Sequence, residues 1–114
     1  MKEFVLIFRL RDHADSKPSP EQVRERMNLL AGLAAQNKLA DKGKSLSISN
    51  AKTITSDTIV TDGPYTEIKE FISGYMLVKT ETIEEAVELA KGNPILKVGG
   101  TVEVREVLAI SYSS

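Results

Sequence analysis

The side chains best suited to chemistry are concentrated in one short segment, T-D-G-P-Y at residues 61–65. A carboxylate at the mouth of a loop, here Asp62, can act as a general base or accept a hydrogen bond from a ligand. The same aspartate can instead accept backbone N–H groups and stabilise the following bend. The two roles are compatible. Asp62 is therefore the candidate catalytic residue, and the candidate ligand-binding residues beside it are Gly63, Pro64 and Tyr65.

Two arginines form a second candidate group, because a guanidinium binds carboxylates and phosphates well. Arg9 ends a strand-like run near the start of the chain, and Arg105 lies in the last strand-like run. A buried arginine needs a partner. That partner is either a nearby carboxylate, Glu103 or Glu106, or the carboxylate or phosphate of an incoming ligand. Both alternatives stay open, and both arginines are candidate ligand-binding residues.

Lys69 and Tyr75 complete the set of candidate ligand-binding residues. Lys69 lies among carboxylates, so it either holds an anionic ligand or belongs to a solvated charged segment. Tyr75 lies in an apolar run, where its hydroxyl either contacts a ligand or satisfies a backbone carbonyl.

Several classes of site are excluded by residue counts. The chain has no cysteine, so disulfides, thiolate catalysis and cysteine-ligated metals are excluded. The single histidine, His13, excludes any one-chain site that needs two imidazoles. Asp12 and Asp15 lie beside it, but three ligands in so short a loop rarely complete a coordination sphere. Since phosphate-binding glycine motifs are also missing, we predict neither a metal nor a cofactor.

Charge and hydropathy limit the possible partners. The 114 residues carry 15 basic and 16 acidic side chains, whereas binding to nucleic acid normally needs a basic excess. The first apolar stretch, residues 4–8, is too short for a signal sequence or a membrane span. We therefore expect one domain over residues 1–114, in the cytoplasm, without a nucleic-acid or membrane partner.

The elements that must position these residues can be predicted from local patterns. Residues 3–10 and 71–79 are typical of strands with apolar side chains on both faces. Ser19, Pro20 and Gln22 indicate a capped helix start. This helix is expected to run to about residue 37, with an apolar face formed by Val23, Met27, Leu30, Ala31 and Ala34.

The remaining elements are shorter. Residues 45–60 alternate apolar with serine and threonine side chains, which predicts half-exposed strands with a turn near residues 49–50. Thr82 indicates a second capped helix, with Ile83, Ala86, Val87 and Ala90 facing inward. Gly92 is expected to end that helix in the left-handed conformation. A last strand alternates at Val102 and Val104.

The predicted order is β-α-β-β-α-β with a long insertion between the central strands. This order is typical of the ferredoxin-like α+β fold, with both helices on one face of an antiparallel sheet. Two helices on one side cannot cover strands that are apolar on both sides. We therefore predict a homodimer in which a second copy covers the other face. The strands that carry Arg9 and Arg105 are expected to be neighbours at the sheet centre.

The segment V-T-D-G-P-Y-T-E-I-K-E, residues 60–70, resembles the signature of the YCII-related family. It is most similar to the branch named for its Asp-Gly-Pro-Phe (DGPF) motif, with Tyr65 in place of the phenylalanine. The Gly74-Tyr75 strand and the Asn93-Pro94-Ile95 turn also match. The resemblance implies a ferredoxin-like, dimeric α/β barrel with a small-molecule cleft between the two sheets.

The resemblance does not carry a mechanism to this chain. Relatives proposed to be catalytic have a histidine early in the first helix, whereas residues 20–27 contain none. The residues are compatible with a cofactor-free acid–base enzyme that acts on a small polar or anionic metabolite. The first interpretation is thus a homodimeric small-molecule-binding domain, and the alternative is a non-catalytic accessory or regulatory module that binds a protein partner.

Overall fold

The computed structural model describes residues 1–11, 19–62 and 70–108. Among these residues, neither α-helix is long and apolar enough to cross a bilayer. The helices are α1 (Pro20–Ala35) and α2 (Ile83–Ala90), and a 3-10 helix spans Pro94–Val98. The strands are β1 (Lys2–Arg11), β2 (Leu39–Asp41), β3 (Lys52–Ile54), β4 (Val60–Asp62), β5 (Glu70–Thr80) and β6 (Thr101–Glu106).

The main sheet has four antiparallel strands in the order β2-β5-β1-β6. Strands β3 and β4 form a separate hairpin inserted between β2 and β5. Without that hairpin the order is β-α-β-β-α-β, so the predicted α+β class is confirmed and the arrangement is compatible with a ferredoxin-like fold. Strands β1 and β6 are neighbours as predicted. The expectation that both lie at the sheet centre is wrong, because β6 is an edge strand.

One face of the sheet carries the hydrophobic core. Phe4, Leu6 and Phe8 alternate along β1 and are buried, and Met76 and Val78 lie on the same side of β5. The alternation follows from the two-residue period of a strand. Both α-helices pack on this face, through the buried side chains Leu33 of α1 and Ala86 and Ala90 of α2. The predicted placement of both helices on one face is therefore confirmed.

The helix starts predicted from capping residues are also confirmed. The Ser19 hydroxyl accepts a hydrogen bond from the Gln22 amide at 3.1 Å, and the Gln22 side chain accepts one from the Ser19 amide at 2.9 Å. At the second helix, the Thr82 hydroxyl accepts from the Glu85 amide at 3.2 Å. These side chains satisfy amide groups that have no partner within the helix.

The predicted apolar face of α1 is wrong at four of its five residues and confirmed at Leu30. Met27 is 62% exposed, Val23 is 45% exposed, and Ala31 and Ala34 are exposed, whereas Leu33 is only 4% exposed. The side chains that meet the core are Leu29, Leu30 and Leu33. The helix carries two overlapping apolar stripes, and the stripe with three leucines buries more apolar area against the sheet.

One turn prediction is confirmed and another needs correction. The chain bends at residues 48–50, where the Ser47 hydroxyl accepts a hydrogen bond from the Asn50 amide at 3.0 Å, as predicted. The hairpin turn is a different one, between β3 and β4, where Thr58 has a φ of 63°. The left-handed glycine after α2 is Gly99, with a φ of 83°, whereas the α2 cap residue Lys91 is right-handed. Asn93 and Pro94 start a 3-10 helix directly after α2, and Gly99 ends that helix.

Gly43 allows the chain to continue along β5 after β2 ends. It has a φ of 71°, and its amide donates to the Asp41 carboxylate at 2.7 Å. The chain then rejoins the sheet, because the Lys44 carbonyl accepts from the Tyr75 amide at 3.2 Å. A Cβ on Gly43 would lie 1.7 Å from the Tyr75 carbonyl oxygen. Both the backbone conformation and the close approach therefore require glycine here.

Leu33→Ala is expected to lower the free energy of unfolding by about 2–5 kcal/mol, because it removes a buried side chain and leaves a cavity. Met27→Ala, on the exposed side of the same helix, is expected to change it by less than about 0.5 kcal/mol. Urea denaturation of both variants measures the difference. Equal losses would contradict the assigned inner face of α1.

Gly43→Ala is expected to lower the free energy of unfolding by about 2 kcal/mol or more, because alanine is strained at positive φ and its Cβ meets backbone. Gly32→Ala is the matched control, since Gly32 lies within α1 and a Cβ there would meet no other atom within 4 Å. The control is expected to stabilise the protein by roughly 0.5–1 kcal/mol through helix propensity. Urea denaturation again provides the comparison. A Gly43→Ala protein as stable as the wild type would contradict the assigned turn.

Candidate functional site

The face of the sheet opposite the helices brings three of the predicted ligand-binding residues together. The strand register places Ile7 opposite both Tyr75 and Glu103, and Val5 opposite both Leu77 and Arg105. Residues directly opposite each other point to the same side of a sheet. We call this surface the open face; its residues are Val5, Ile7, Arg9, Tyr75, Leu77, Glu103 and Arg105.

One carboxylate on the open face holds two guanidinium groups. Arg9 Nη1 donates a hydrogen bond to Glu103 Oε1, and Arg105 Nε lies 3.5 Å from Glu103 Oε2. The Arg9 side chain is 27% exposed and that of Arg105 is 69% exposed. Of the two partners considered for these arginines, Glu103 is thus the carboxylate they contact. This cluster has one negative and two positive charges, so it carries an excess positive charge.

The two arginines differ in how firmly they are held. Arg9 makes a charge-assisted hydrogen bond, which is among the stronger polar contacts in proteins. The 3.5 Å separation at Arg105 is an ion pair without hydrogen-bond geometry. Because Arg105 is the more exposed of the two, its remaining N–H groups are more accessible to a ligand than those of Arg9.

Tyr75 lies on the open face, two strands away from Glu103. Both residues are opposite Ile7 on the central strand β1. With neighbouring strands about 4.8 Å apart, their backbones are separated by roughly 10 Å. Tyr75 and the Arg9–Glu103–Arg105 cluster are therefore at opposite sides of a patch formed by Val5, Ile7 and Leu77. These three side chains and Tyr75 are half-buried.

Asp62, the predicted catalytic residue, lies at the end of β4 on the hairpin. Its side chain is 93% exposed, and its carboxylate accepts a hydrogen bond from Lys52 Nζ at 2.5 Å. Within the described part of the chain, its ionic partner is therefore Lys52 and neither open-face arginine. The role of Asp62 as a general base stays a prediction.

The other candidates of the 61–65 segment lie outside the described residues. These candidates are Gly63, Pro64 and Tyr65. Lys69 also lies outside the described residues. Asp12, His13 and Asp15 are also outside them. Across residues 1–11, 19–62 and 70–108, no group of three histidine, aspartate or glutamate side chains is placed to hold a metal ion.

Sequence reasoning missed the face of the hairpin that carries Asp62. Lys52 is opposite Asp62 and Ile54 is opposite Val60 in the register, so all four side chains share one side. We call these four residues the hairpin face. A signal for the turn was present, since the polar residues Ser56 and Asp57 separate two similar threonine- and isoleucine-containing runs. The predicted turn at residues 49–50 would not have brought Lys52 to Asp62.

A concave surface lies beside β6 on the helix-bearing side of the sheet. It is an apolar groove of about 300 Å³ between α2, the 3-10 helix and β6, lined by Ile83, Val87, Ala90, Lys91, Leu96, Val102 and Val104. Ile83 and Val87, predicted to face inward, are 43% and 37% exposed. That prediction is wrong for these two residues, because the groove leaves the outer side of α2 uncovered.

Of the comparisons with known proteins, the one with family models gave a match. No curated protein gave a significant match to the chain. The family model of the YCII-related domain matches residues 11–111, which is most of the 114 residues. The matched range includes both α-helices, the hairpin, β5, and β6 with Glu103 and Arg105. The chain therefore belongs to the YCII-related family.

Proposed function

We propose that the chain is a homodimeric small-molecule-binding domain whose ligand is a small polar anion held by Arg9 and Arg105. The observation that carries the proposal is the sharing of one carboxylate, Glu103, by two guanidinium groups on the open face. A ligand carboxylate or phosphate would supply the missing negative charge. Arginine suits this role because its planar N–H groups match the paired oxygens of both anions.

The surroundings of the cluster strengthen its attraction for an anion. Val5 and Ile7 lie beside the arginines and are half-buried, so the local dielectric is lower than in water. Tyr75, at the other side of the same patch, offers a hydroxyl group to a polar ligand. A small molecule with one anionic end and one hydrogen-bonding end would fit between them.

The distribution of apolar side chains supports the proposed homodimer. Both described helices pack on one face of the sheet, while Val5, Ile7, Tyr75 and Leu77 lie on the other. A second copy of the same face would bury these side chains and enclose the cleft between two sheets. The resulting assembly would be the dimeric α/β barrel expected from the family resemblance.

Chemistry at this site would be proton transfer without a cofactor. In this proposal Asp62 is the general base, the arginines fix the substrate, and Gly63, Pro64, Tyr65 and Lys69 line the cleft. The exposure of the Asp62 carboxylate supports access to a ligand. The signature at residues 60–70 supports membership of the DGPF branch. We expect the domain to act in the cytoplasm on a metabolite, with neither nucleic acid nor a membrane as its partner.

A non-catalytic accessory module is the second candidate function. The apolar groove beside β6 favours it, since Ile83, Val87 and Leu96 are partly exposed there. Exposed apolar residues that line a concave surface are typical of protein-binding sites. This function needs no anion site on the open face.

Arg105→Ala is expected to weaken the binding of small anions roughly 10- to 100-fold, because it removes charge-assisted hydrogen bonds. Isothermal titration calorimetry with inorganic phosphate, oxalate and citrate measures this change. Glu103→Gln is expected to tighten binding of the same anions, since it removes the carboxylate that competes for both arginines. Arg24→Ala, an exposed arginine on α1, is the control and should leave binding unchanged.

Three results would contradict the anion site. These are Arg105→Ala binding as tightly as the wild type, Glu103→Gln binding more weakly, and no binding of any of the three probes. The last result would leave the accessory module as the better candidate.

A further inference from the structure

The hairpin face needs a covering layer that the described part of this chain does not supply. Ile54 is 69% exposed and Val60 is 56% exposed, although they lie directly opposite each other in the register. The hairpin is a separate two-stranded sheet. Such a hairpin is marginally stable in water unless its apolar side packs on another layer.

The layer that covers Ile54 and Val60 must also meet charged groups. Asp62 and Lys52 lie on the same side of the hairpin, next to the apolar pair. The Asp62 side chain is 93% exposed, so its carboxylate is accessible despite the ion pair with Lys52. The matching surface therefore needs an apolar patch with a cation beside it.

The open face has both properties. Val5, Ile7 and Leu77 form its apolar patch. Arg105 stands beside Val5 in the register, is 69% exposed, and belongs to a cluster with one positive charge in excess. Asp62 can lie against Arg105, and because Lys52 accompanies it, the joined surfaces keep one positive charge in excess for an anionic ligand. Ile54 and Val60 can cover the edge of the apolar patch beside Arg105, next to the part that the sheet of the other copy covers.

The hairpin face and the open face belong to different sheets of the chain. Because the hairpin face is exposed, the open face of the same copy does not cover it. We infer that the hairpin face of one copy packs on the open face of a second copy, so that Asp62 of one copy and Arg105 of the other form each ligand site. This inference rests on the homodimer proposed above. In a two-fold symmetric dimer the contact occurs twice, giving two equivalent composite sites.

The arrangement has a chemical consequence. A single copy would hold the anion-binding arginines and the proposed base on separate surfaces, so it could bind an anion but could not transfer a proton. Only the dimer would bring the base to the bound ligand. The interface is thus part of the site, and dimer formation would be required for its activity.

Charge-reversed copies test the contact. Asp62→Lys places a lysine against Arg105 of the other copy, and Arg105→Glu places a glutamate against Asp62. Each homodimer then contains two like-charge contacts. A heterodimer of the two variants contains one native contact and one reversed, attractive contact. Both positions are largely exposed, so neither substitution disturbs the core.

Native mass spectrometry of the equilibrated equimolar mixture provides the measurement. Random pairing gives roughly equal numbers of mixed and unmixed dimers, whereas a composite site predicts a ratio of mixed to unmixed dimers of at least about 5:1. A control mixture of Glu81→Lys and Arg24→Glu, two exposed positions outside both surfaces, is expected to stay statistical.

The other outcomes distinguish a failure of the composite site from a failure of the proposed homodimer. A statistical mixture of charge-reversed dimers, or one with fewer mixed dimers, would overturn the composite site and leave the homodimer in place. A wild-type protein that is monomeric would overturn both. A mixture that stays monomeric while the wild type is dimeric would also overturn the composite site, because the reversed pair would then fail to restore the contact.

Discussion

A four-stranded sheet with apolar side chains on both faces, and with both described α-helices packed on one of them, is the constraint on which the rest of this structure depends. Phe4, Leu6 and Phe8 build the core against α1 and α2. Val5 and Ile7, between them in the sequence, point to the other side. Burying the second face would add to the hydrophobic stabilisation, but both described α-helices already pack on the first face. The open face is therefore where a ligand and a second copy are expected to meet.

The positive charge on the open face is only partly compensated, just as its apolar surface is only partly buried. Glu103 compensates one guanidinium and leaves the other partly unpaired. An unpaired cation is tolerated while Arg105 is exposed to water, but burial would make it costly unless an anion is supplied. Covering the open face and binding an anion are therefore linked. Either a ligand or a carboxylate from another copy has to accompany the burial of Arg105.

The sequence was sufficient to predict the elements that depend on local interactions. The capping groups of Ser19 and Thr82 and the two-residue alternation of β1 and β5 could be predicted from residue types and spacing. For Arg9 the sequence left open whether its partner is Glu103, Glu106 or a ligand, and the strand register selects Glu103. The inner face of α1 could not be predicted, because Met27 and Leu33 lie on apolar stripes of similar strength and only the approach of the helix to the sheet selects one.

The candidate site could be predicted only in part, for a similar reason. The predicted turn at residues 49–50 followed local propensity, whereas the exposed hairpin face depends on the register of β3 and β4. The surface that is proposed to cover that face belongs to a second copy, and single-chain patterns carry no direct information about such a contact.

Sedimentation equilibrium tests the central claim most directly. Because the open face is expected to be buried by a second copy, the wild-type protein should sediment at micromolar concentration as a species of twice 12.5 kDa. Ile7→Lys, which places a charge at the middle of that face, should sediment as a single chain with its helices intact by circular dichroism. A wild-type protein that sediments at 12.5 kDa under the same conditions would contradict the account.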